Sequence, residues 1–202
     1  MDTSCIILAG GKGLRLGHDK ISETVGNRGL LQQVISCVSL FCSDIIVVFA
    51  QNRSIPQLTG CPKLRIVTDI FPGKGPMGGI YTGLATSESL NNLVVASDMP
   101  FLNEALLRYM IELSADFDLV VPRAGNLVEP LHAVYSKSCS APMAHMIEQD
   151  NLSVYQLFSQ IKVRYVETEE IDRFDPEHLS FFNINTKDDL KTARELAERG
   201  RE

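Results

Sequence analysis

Short apolar runs alternate along this chain with longer segments of helical spacing. The runs are rich in β-branched residues and apolar at nearly every position, which is typical of strands whose two faces are both covered. They lie at 5–8, 45–50, 64–67, 93–96, 119–121 and 163–166, and the helical segments at 30–40, 79–87, 104–113, 141–148 and 186–199. This alternation predicts a three-layer α/β fold, with a mainly parallel twisted sheet and helices on both faces.

Two local signals refine this prediction. The run 129–135 follows the turn signal Gly125-Asn126 and is a candidate for one strand that runs antiparallel to the others. Before the last helix, Thr186 and Asp189 have the spacing of a capping box, and Gly200 is predicted to end that helix.

The length and the apolar content indicate one folded unit. We find no repeat or linker that divides the 202 residues, of which 45% are hydrophobic, so 1–202 is predicted to be a single domain. No apolar run approaches the ~18–20 residues that span a bilayer, and Met1-Asp2-Thr3-Ser4 lacks the basic start of a signal peptide. These features predict a cytoplasmic protein that does not act on a membrane.

Charge and cysteine usage exclude several classes of protein. The net charge of −6 disfavours a non-specific nucleic-acid binder, which needs a basic surface. The five cysteines contain no Cys-x-x-Cys pair, and the four histidines form no close pair. We therefore expect reduced thiols and no structural zinc site.

The first loop stands out against this acidic background. The segment Leu8-Ala9-Gly10-Gly11-Lys12-Gly13-Leu14-Arg15-Leu16-Gly17-His18-Asp19-Lys20 follows the first apolar run. Glycines let backbone N–H groups approach a polyphosphate, and Arg15 and Lys20 can neutralise its charge. The loop predicts a nucleoside triphosphate site; the alternative is a glycine-rich turn that only connects a strand to a helix.

Two better-known glycine loops do not match. A dinucleotide fingerprint that began at Gly11 would need glycine at position 16, which is Leu16. A P-loop needs Ser or Thr after Gly-Lys, but Gly13 follows Lys12 and Gly75 follows Lys74.

Two carboxylates follow predicted strands and point to a metal–nucleotide site. Ligands of open α/β sheets collect beyond the carboxyl ends of the strands, where Asp69 and Asp98 lie. A carboxylate there can hold the Mg²⁺ of a nucleoside triphosphate. Asp69 also precedes a second glycine-rich loop, 71–79, which opens a helix whose N-terminus favours anions.

Each polar residue at this rim has a structural alternative. Asp69 could make an Asx-turn, and Asp98 could cap a helix, a role for which Asn103 competes. Asn183 and Asn185 follow another apolar stretch and could reach the same rim as candidate substrate or phosphate contacts, or serve in a turn or a cap.

Together these motifs resemble the molybdenum cofactor guanylyltransferase family. The resemblance rests on Leu8-Ala9-Gly10-Gly11, Arg15, Leu16-Gly17, Asp19-Lys20, Asp69, Gly75-Pro76-Met77-Gly78-Gly79, Ser97-Asp98-Met99-Pro100-Phe101 and Asn183-Ile184-Asn185-Thr186, in the family's order. It implies a Rossmann-like nucleotidyltransferase fold that takes Mg²⁺-GTP and a molybdopterin-type cofactor. The implied product is the guanine dinucleotide form of the cofactor, with release of pyrophosphate.

The resemblance also implies roles for individual residues. The nucleotide would be bound by Leu8, Ala9, Gly10, Gly11, Lys20, Asp69, Gly75 and Asp98. Arg15 and Lys20 would contact phosphates, Asp98 would ligate Mg²⁺, and all three would act in catalysis. The nucleophile would be an ionised phosphate, so no general base is needed. The implied protein partners are molybdenum-insertion proteins or molybdoenzyme chaperones.

One segment departs from the family pattern. The family has a Gly-Lys-Pro-Leu type segment downstream of Lys20, whereas this chain reads Gly26-Asn27-Arg28-Gly29-Leu30, with Arg28 as the nearest cation and a candidate phosphate or substrate contact. The alternatives are a related cytidylyl- or sugar-phosphate nucleotidyltransferase, or a non-catalytic protein that binds GTP or the cofactor.

Overall fold

The structure, a computed structural model, describes residues 3–10, 23–53, 55–58, 61 and 63–199. The strands in these residues are β1 (Thr3–Leu8), β2 (Thr24–Val25), β3 (Arg28–Gly29), β4 (Asp44–Phe49), β5 (Leu64–Thr68), β6 (Asn91–Ala96), β7 (Leu119–Ala124), β8 (Leu127–Val128), β9 (His132–Ser136) and β10 (Val163–Glu167). The helices are α1 (Leu30–Val38), α2 (Gly75–Thr86), α3 (Glu104–Glu112), α4 (Ser140–Glu148), α5 (Val154–Leu157), α6 (Thr168–Ile171) and α7 (Lys187–Arg199).

The main sheet is mostly parallel, as predicted. Its strands lie in the order β10-β7-β9-β6-β1-β4-β5, and β8 pairs with β7. β9 runs antiparallel to both of its neighbours, β6 and β7. As a result β1, β4, β5, β6, β7 and β10 all end at one edge, which we call the carboxyl edge, whereas β9 begins there.

Helices cover both faces of this sheet. Along β1, Cys5 and Ile7 pack into a cluster with α1, α3 and α6, while Ile6 packs into a second cluster with α2, α4 and α5. These three strand residues are completely buried. Burial on both faces explains why the strands read as continuous apolar runs, and each large side chain so buried contributes ~1.5–3 kcal/mol.

A third, smaller cluster joins residues 25–30 to the C-terminal part of the chain. It contains Val25, Leu30, Ile184, Leu190 and Ala193, so α7 packs on the β2–β3 hairpin and on the start of α1. This cluster fixes the segment that follows residues 11–22 against the C-terminal helix.

Most predicted elements are present, with shifted ends. α2 begins at Gly75 rather than at 79. β9 begins at His132 rather than at 129, since Glu129 and Pro130 form the turn that precedes it. The β2–β3 hairpin and the short helices α5 and α6 were not predicted.

The predicted capping box at α7 is confirmed. Asp189 Oδ2 accepts hydrogen bonds from the N–H of Asn185 (2.8 Å) and of Thr186 (2.7 Å). In return the Asp189 N–H donates to Thr186 Oγ1 at 3.1 Å. Gly200, the predicted end of the helix, lies outside the described residues. No helix in the described part of the chain is long and apolar enough to cross a membrane.

Candidate active site

The first loop leaves the sheet at its centre, between β6 and β4. The Ala9 N–H donates to the carbonyl of Val48 (2.9 Å), and the Leu8 carbonyl accepts from the Ser97 N–H (3.1 Å). A Cβ on Gly10 would lie 3.4 Å from the backbone nitrogen of Ala50, so the chain passes tightly beside β4. Gly11, Arg15 and Lys20 lie outside the described residues, and their predicted nucleotide and phosphate contacts stay predictions.

Asp69 follows β5 and fixes the second glycine-rich loop. Its N–H donates to the carbonyl of Phe49 (2.8 Å). Its Oδ1 accepts from the Phe71 N–H (2.9 Å), which is an Asx-turn, and from Thr82 Oγ1 (3.0 Å). The alternative structural role is therefore present, and the predicted contact with nucleotide is untested.

The glycines of that loop serve different purposes. Gly73 and Gly75 have φ of +84° and +61°, in the left-handed region that favours glycine. Gly78 and Gly79 instead permit close packing, because a Cβ at Gly78 would lie 2.9 Å from the Phe71 carbonyl oxygen. The N-terminus of α2 consequently opens at the carboxyl edge, where its N–H groups suit an anion.

Asp98 follows β6, next to β1, at the same edge. Its carbonyl accepts from the Ile184 N–H at 3.0 Å, which brings Asn183 and Asn185 beside it. The alternative that Asp98 caps the next helix is wrong, because Asn103 is the N-cap of α3 and its Oδ1 accepts from the Leu106 N–H (3.0 Å).

Asn183 and Asn185 reach the predicted rim and also make local contacts. Asn183 Nδ2 donates to the carbonyl of Phe181 (3.2 Å), and the Asn185 N–H donates to the α7 cap. Both the turn and the cap roles are thus present. Their predicted contacts with substrate are untested.

The sequence analysis missed Glu129, which lies at the carboxyl edge near Asp98. The antiparallel register pairs Val95 with His132, and the Ala96 N–H donates to the Leu131 carbonyl (3.1 Å). Glu129 belongs to the turn that enters β9 at this point, and Asp98 follows the neighbouring end of β6. Burial raises the pKa of the Glu129 carboxyl, and the charge of Asp98 raises it further, while a hydrogen bond from the Leu131 backbone opposes the shift. Only the pairing of β9 with β6 could have revealed this residue.

The structure does not bring all the predicted residues together. Asp98, Glu129 and the 183–185 segment meet at the end of β6. Asp69 follows β5, three strand positions away, or about 14 Å along the sheet. Arg28 is exposed on the β2–β3 hairpin, which packs against α7. A ligand that contacts both Asp69 and Asp98 must therefore extend across the ends of β1 and β4.

Comparisons with known proteins are consistent with this geometry. The profile of the MobA-like NTP transferase domain matches residues 5–164. A protein of Pelotomaculum thermopropionicum named "Probable molybdenum cofactor guanylyltransferase" is 34% identical over 97% of this chain and 94% of its own length. A protein of Desulfosudis oleivorans, named "Molybdenum cofactor guanylyltransferase", is 31% identical over 97% of this chain and 96% of its own length.

A solved structure extends the likeness to three dimensions. The crystal structure of molybdopterin-guanine dinucleotide biosynthesis protein A from Archaeoglobus fulgidus is 27% identical and superposes with a TM-score of 0.79. The match covers 97% of this chain and 99% of that one. The predicted fold is thereby confirmed.

Proposed function

Because the chain belongs to the family of MobA-like NTP transferase domains and is a nucleotidyltransferase enzyme, we propose that it transfers GMP from GTP to the terminal phosphate of molybdopterin. The observation that carries this proposal is Asp98, a carboxylate set where β1 delivers the glycine-rich loop to the carboxyl edge. The names of its relatives support guanine as the base and the molybdenum cofactor as the acceptor.

The proposed step is a displacement at the α-phosphorus of GTP. An oxygen of the acceptor phosphate forms a bond to that phosphorus, and the bond from it to the β-phosphate bridging oxygen breaks. Pyrophosphate leaves with the electron pair. The nucleophile is already ionised at neutral pH, so this chain has to position anions and stabilise charge rather than remove a proton.

The donor set at the end of β6 fits a magnesium ion. Asp98 and Glu129 offer carboxylate oxygens, which hard cations prefer. Among the described residues, no group of three or more His, Cys, Asp and Glu is arranged to hold a metal. Asp98 would therefore hold Mg²⁺ with ligands from the triphosphate and water, and the bound ion would neutralise charge on the phosphates.

The remaining assignments extend along the same edge. Leu8, Ala9, Gly10, Gly11 and Gly75 would contact the nucleoside, and Arg15 and Lys20 the phosphates. Asn183, Asn185 and Arg28 would contact the acceptor. A cytoplasmic location and transfer of product to molybdenum-insertion proteins or molybdoenzyme chaperones stay predictions.

Calorimetric titration with GTP, CTP, ATP and NAD, with and without Mg²⁺, tests the nucleotide. We expect a magnesium-dependent preference for GTP, followed by pyrophosphate release once molybdopterin is added. A preference for CTP would assign the chain to cytidylyl transfer. Tight GTP binding without pyrophosphate release would instead indicate a non-catalytic cofactor-binding protein.

A further inference from the structure

The turn before β9 places a second carboxylate at the point where the metal–nucleotide would bind. We propose that Glu129 is a positioning residue that makes nucleotide binding depend on magnesium: its charge, at the same carboxyl edge as Asp98, attracts the Mg²⁺-nucleotide and repels metal-free triphosphate. This inference rests on the proposed function and adds to it a residue that none of the sequence motifs includes.

The position of Glu129 is set by three backbone hydrogen bonds. Its N–H donates to the carbonyl of Pro122 on β7 (3.2 Å), and its carbonyl accepts from the His132 N–H (3.1 Å). The third bond joins the Leu131 carbonyl to the Ala96 N–H, two residues before Asp98. The turn is thus attached to β7, β9 and β6 at once, so the backbone of Glu129 cannot move away from the end of β6 without breaking these hydrogen bonds.

Glu129 is half-buried in this turn. Glutamine has nearly the same size and retains a side-chain oxygen that can accept hydrogen bonds, so Glu129→Gln removes the charge and leaves the turn intact.

Two carboxylates held close together at the edge of a sheet repel each other. A divalent cation bound beside Asp98 reverses the sign of that interaction, because each carboxylate then faces a positive charge. A metal-free triphosphate would add further negative charge to the pair. The arrangement therefore favours binding of the Mg²⁺-bound nucleotide and disfavours binding of the metal-free nucleotide.

The experiment compares nucleotide binding by the wild-type protein, Glu129→Gln and Glu112→Gln. GTP is titrated calorimetrically in EDTA and then at a series of Mg²⁺ concentrations. Glu112→Gln is the matched control: it removes the same charge at the end of α3, a helix that starts near the carboxyl edge and runs away from it, and Glu112 is exposed.

We expect Glu129→Gln to raise the Mg²⁺ concentration for half-maximal GTP affinity about tenfold, as for loss of one charge near a divalent ion. The same variant should bind metal-free GTP several-fold more tightly than wild type, and Glu112→Gln should do neither. A purely structural role would weaken both forms of binding together.

The outcomes separate the two proposals. If wild type binds GTP with magnesium dependence and Glu129→Gln does the same, the role of Glu129 is overturned and the proposed function stands. If Glu129→Gln weakens binding equally with and without Mg²⁺, Glu129 is only structural. If wild type binds no GTP at all, the proposed function fails and this inference fails with it.

Discussion

The backbone of Asp98 is held at the carboxyl edge by a hydrogen bond from Ile184, which no substitution of the side chain removes. Asp98→Asn should therefore lower the rate of pyrophosphate release by about 10²–10³-fold, as for loss of a charge-stabilising group. The variant should remain folded, because the backbone hydrogen bond from Ile184 is retained. The measurements are turnover with GTP and molybdopterin, and urea unfolding.

Asp116→Asn is the matched control for this prediction. Asp116 is exposed in the turn after α3 and should be dispensable for turnover. Near-normal turnover by Asp98→Asn would remove Asp98 from the proposed mechanism.

His132 makes the stability of the fold depend on pH. Its ring is completely buried against Phe181, at 5.0 Å between ring centroids, and both ring nitrogens lack a hydrogen-bond partner among the described residues. Burial lowers the pKa of His132 from 6.5 to about 4, against a smaller opposing effect of Asp175. The folded state therefore holds this ring neutral, and the unfolded chain binds the proton more readily.

The lowered pKa of His132 predicts the pH range over which the folded protein loses stability. The stability contributed by neutral His132 is fully present above pH 6.5, falls as the pH drops, and is gone below about 4. The pKa difference corresponds to about 3 kcal/mol. Urea unfolding at pH 7 and pH 4.5 should show this loss in wild type and less of it in His132→Leu. His145→Leu, at an exposed histidine, should behave as wild type; an equal acid loss in His132→Leu would refute the assignment.

The residue scale also shows where sequence reasoning stops. Two roles were predicted for Asp69, one in an Asx-turn and one as a nucleotide ligand. Both roles use the same carboxylate oxygens, so the sequence cannot distinguish them. The structure shows that its Oδ1 bonds to Phe71 and Thr82, a contact that depends on how α2 packs. Glu129 was missed because its place at the carboxyl edge arises from the pairing of β9 with β6, strands that are distant in the sequence.

At the scale of elements, α2 departs most from its sequence pattern. The prediction placed the helix start at 79, yet the helix begins at Gly75 and contains several glycines, which are poor helix formers. Close packing on β1 requires a glycine within this helix, since a Cβ at Gly83 would lie 2.3 Å from Ile6 Cγ2. Tertiary packing outweighs local propensity here, whereas the amphipathic α1, α3 and α4 were found within about two residues.

Gly83→Ala tests this packing. Alanine gains ~0.5–1 kcal/mol of helix propensity but overfills the contact with Ile6, at a cost of ~1–3 kcal/mol. We expect net destabilisation in urea unfolding. Ala85→Ser, exposed on the same helix, should change stability by less than ~0.5 kcal/mol. A Gly83→Ala protein more stable than wild type would mean that α2 has room to shift.

On the scale of the whole molecule, the two apolar clusters share one sheet. Neighbouring residues of β6 point to opposite faces, Val94 into the cluster with α2 and Val95 into the cluster with α1. Loss of either cluster uncovers the strands that support the other. We therefore expect one cooperative unfolding transition, in agreement with the predicted single domain over 1–202.

Circular dichroism and tyrosine fluorescence, followed in the same urea titration, test whether the protein unfolds in a single transition. The two probes should give coincident curves. Val94→Ala and Val95→Ala should each lower both midpoints, at a cost of about 2 kcal/mol. Separate midpoints for the two probes, or a variant that shifts only one of them, would indicate units that unfold independently.

The third cluster sets an order of events for the chain as it is made. Val25 and Leu30 acquire their partners only when Leu190 and Ala193 have left the ribosome, and Ile184 supplies the hydrogen bond to Asp98 from the same late segment. A chain whose synthesis stops early can form much of the sheet but cannot close this cluster. A chain that stops before residue 184 would thus lack both this cluster and the backbone hydrogen bond that holds Asp98 at the carboxyl edge.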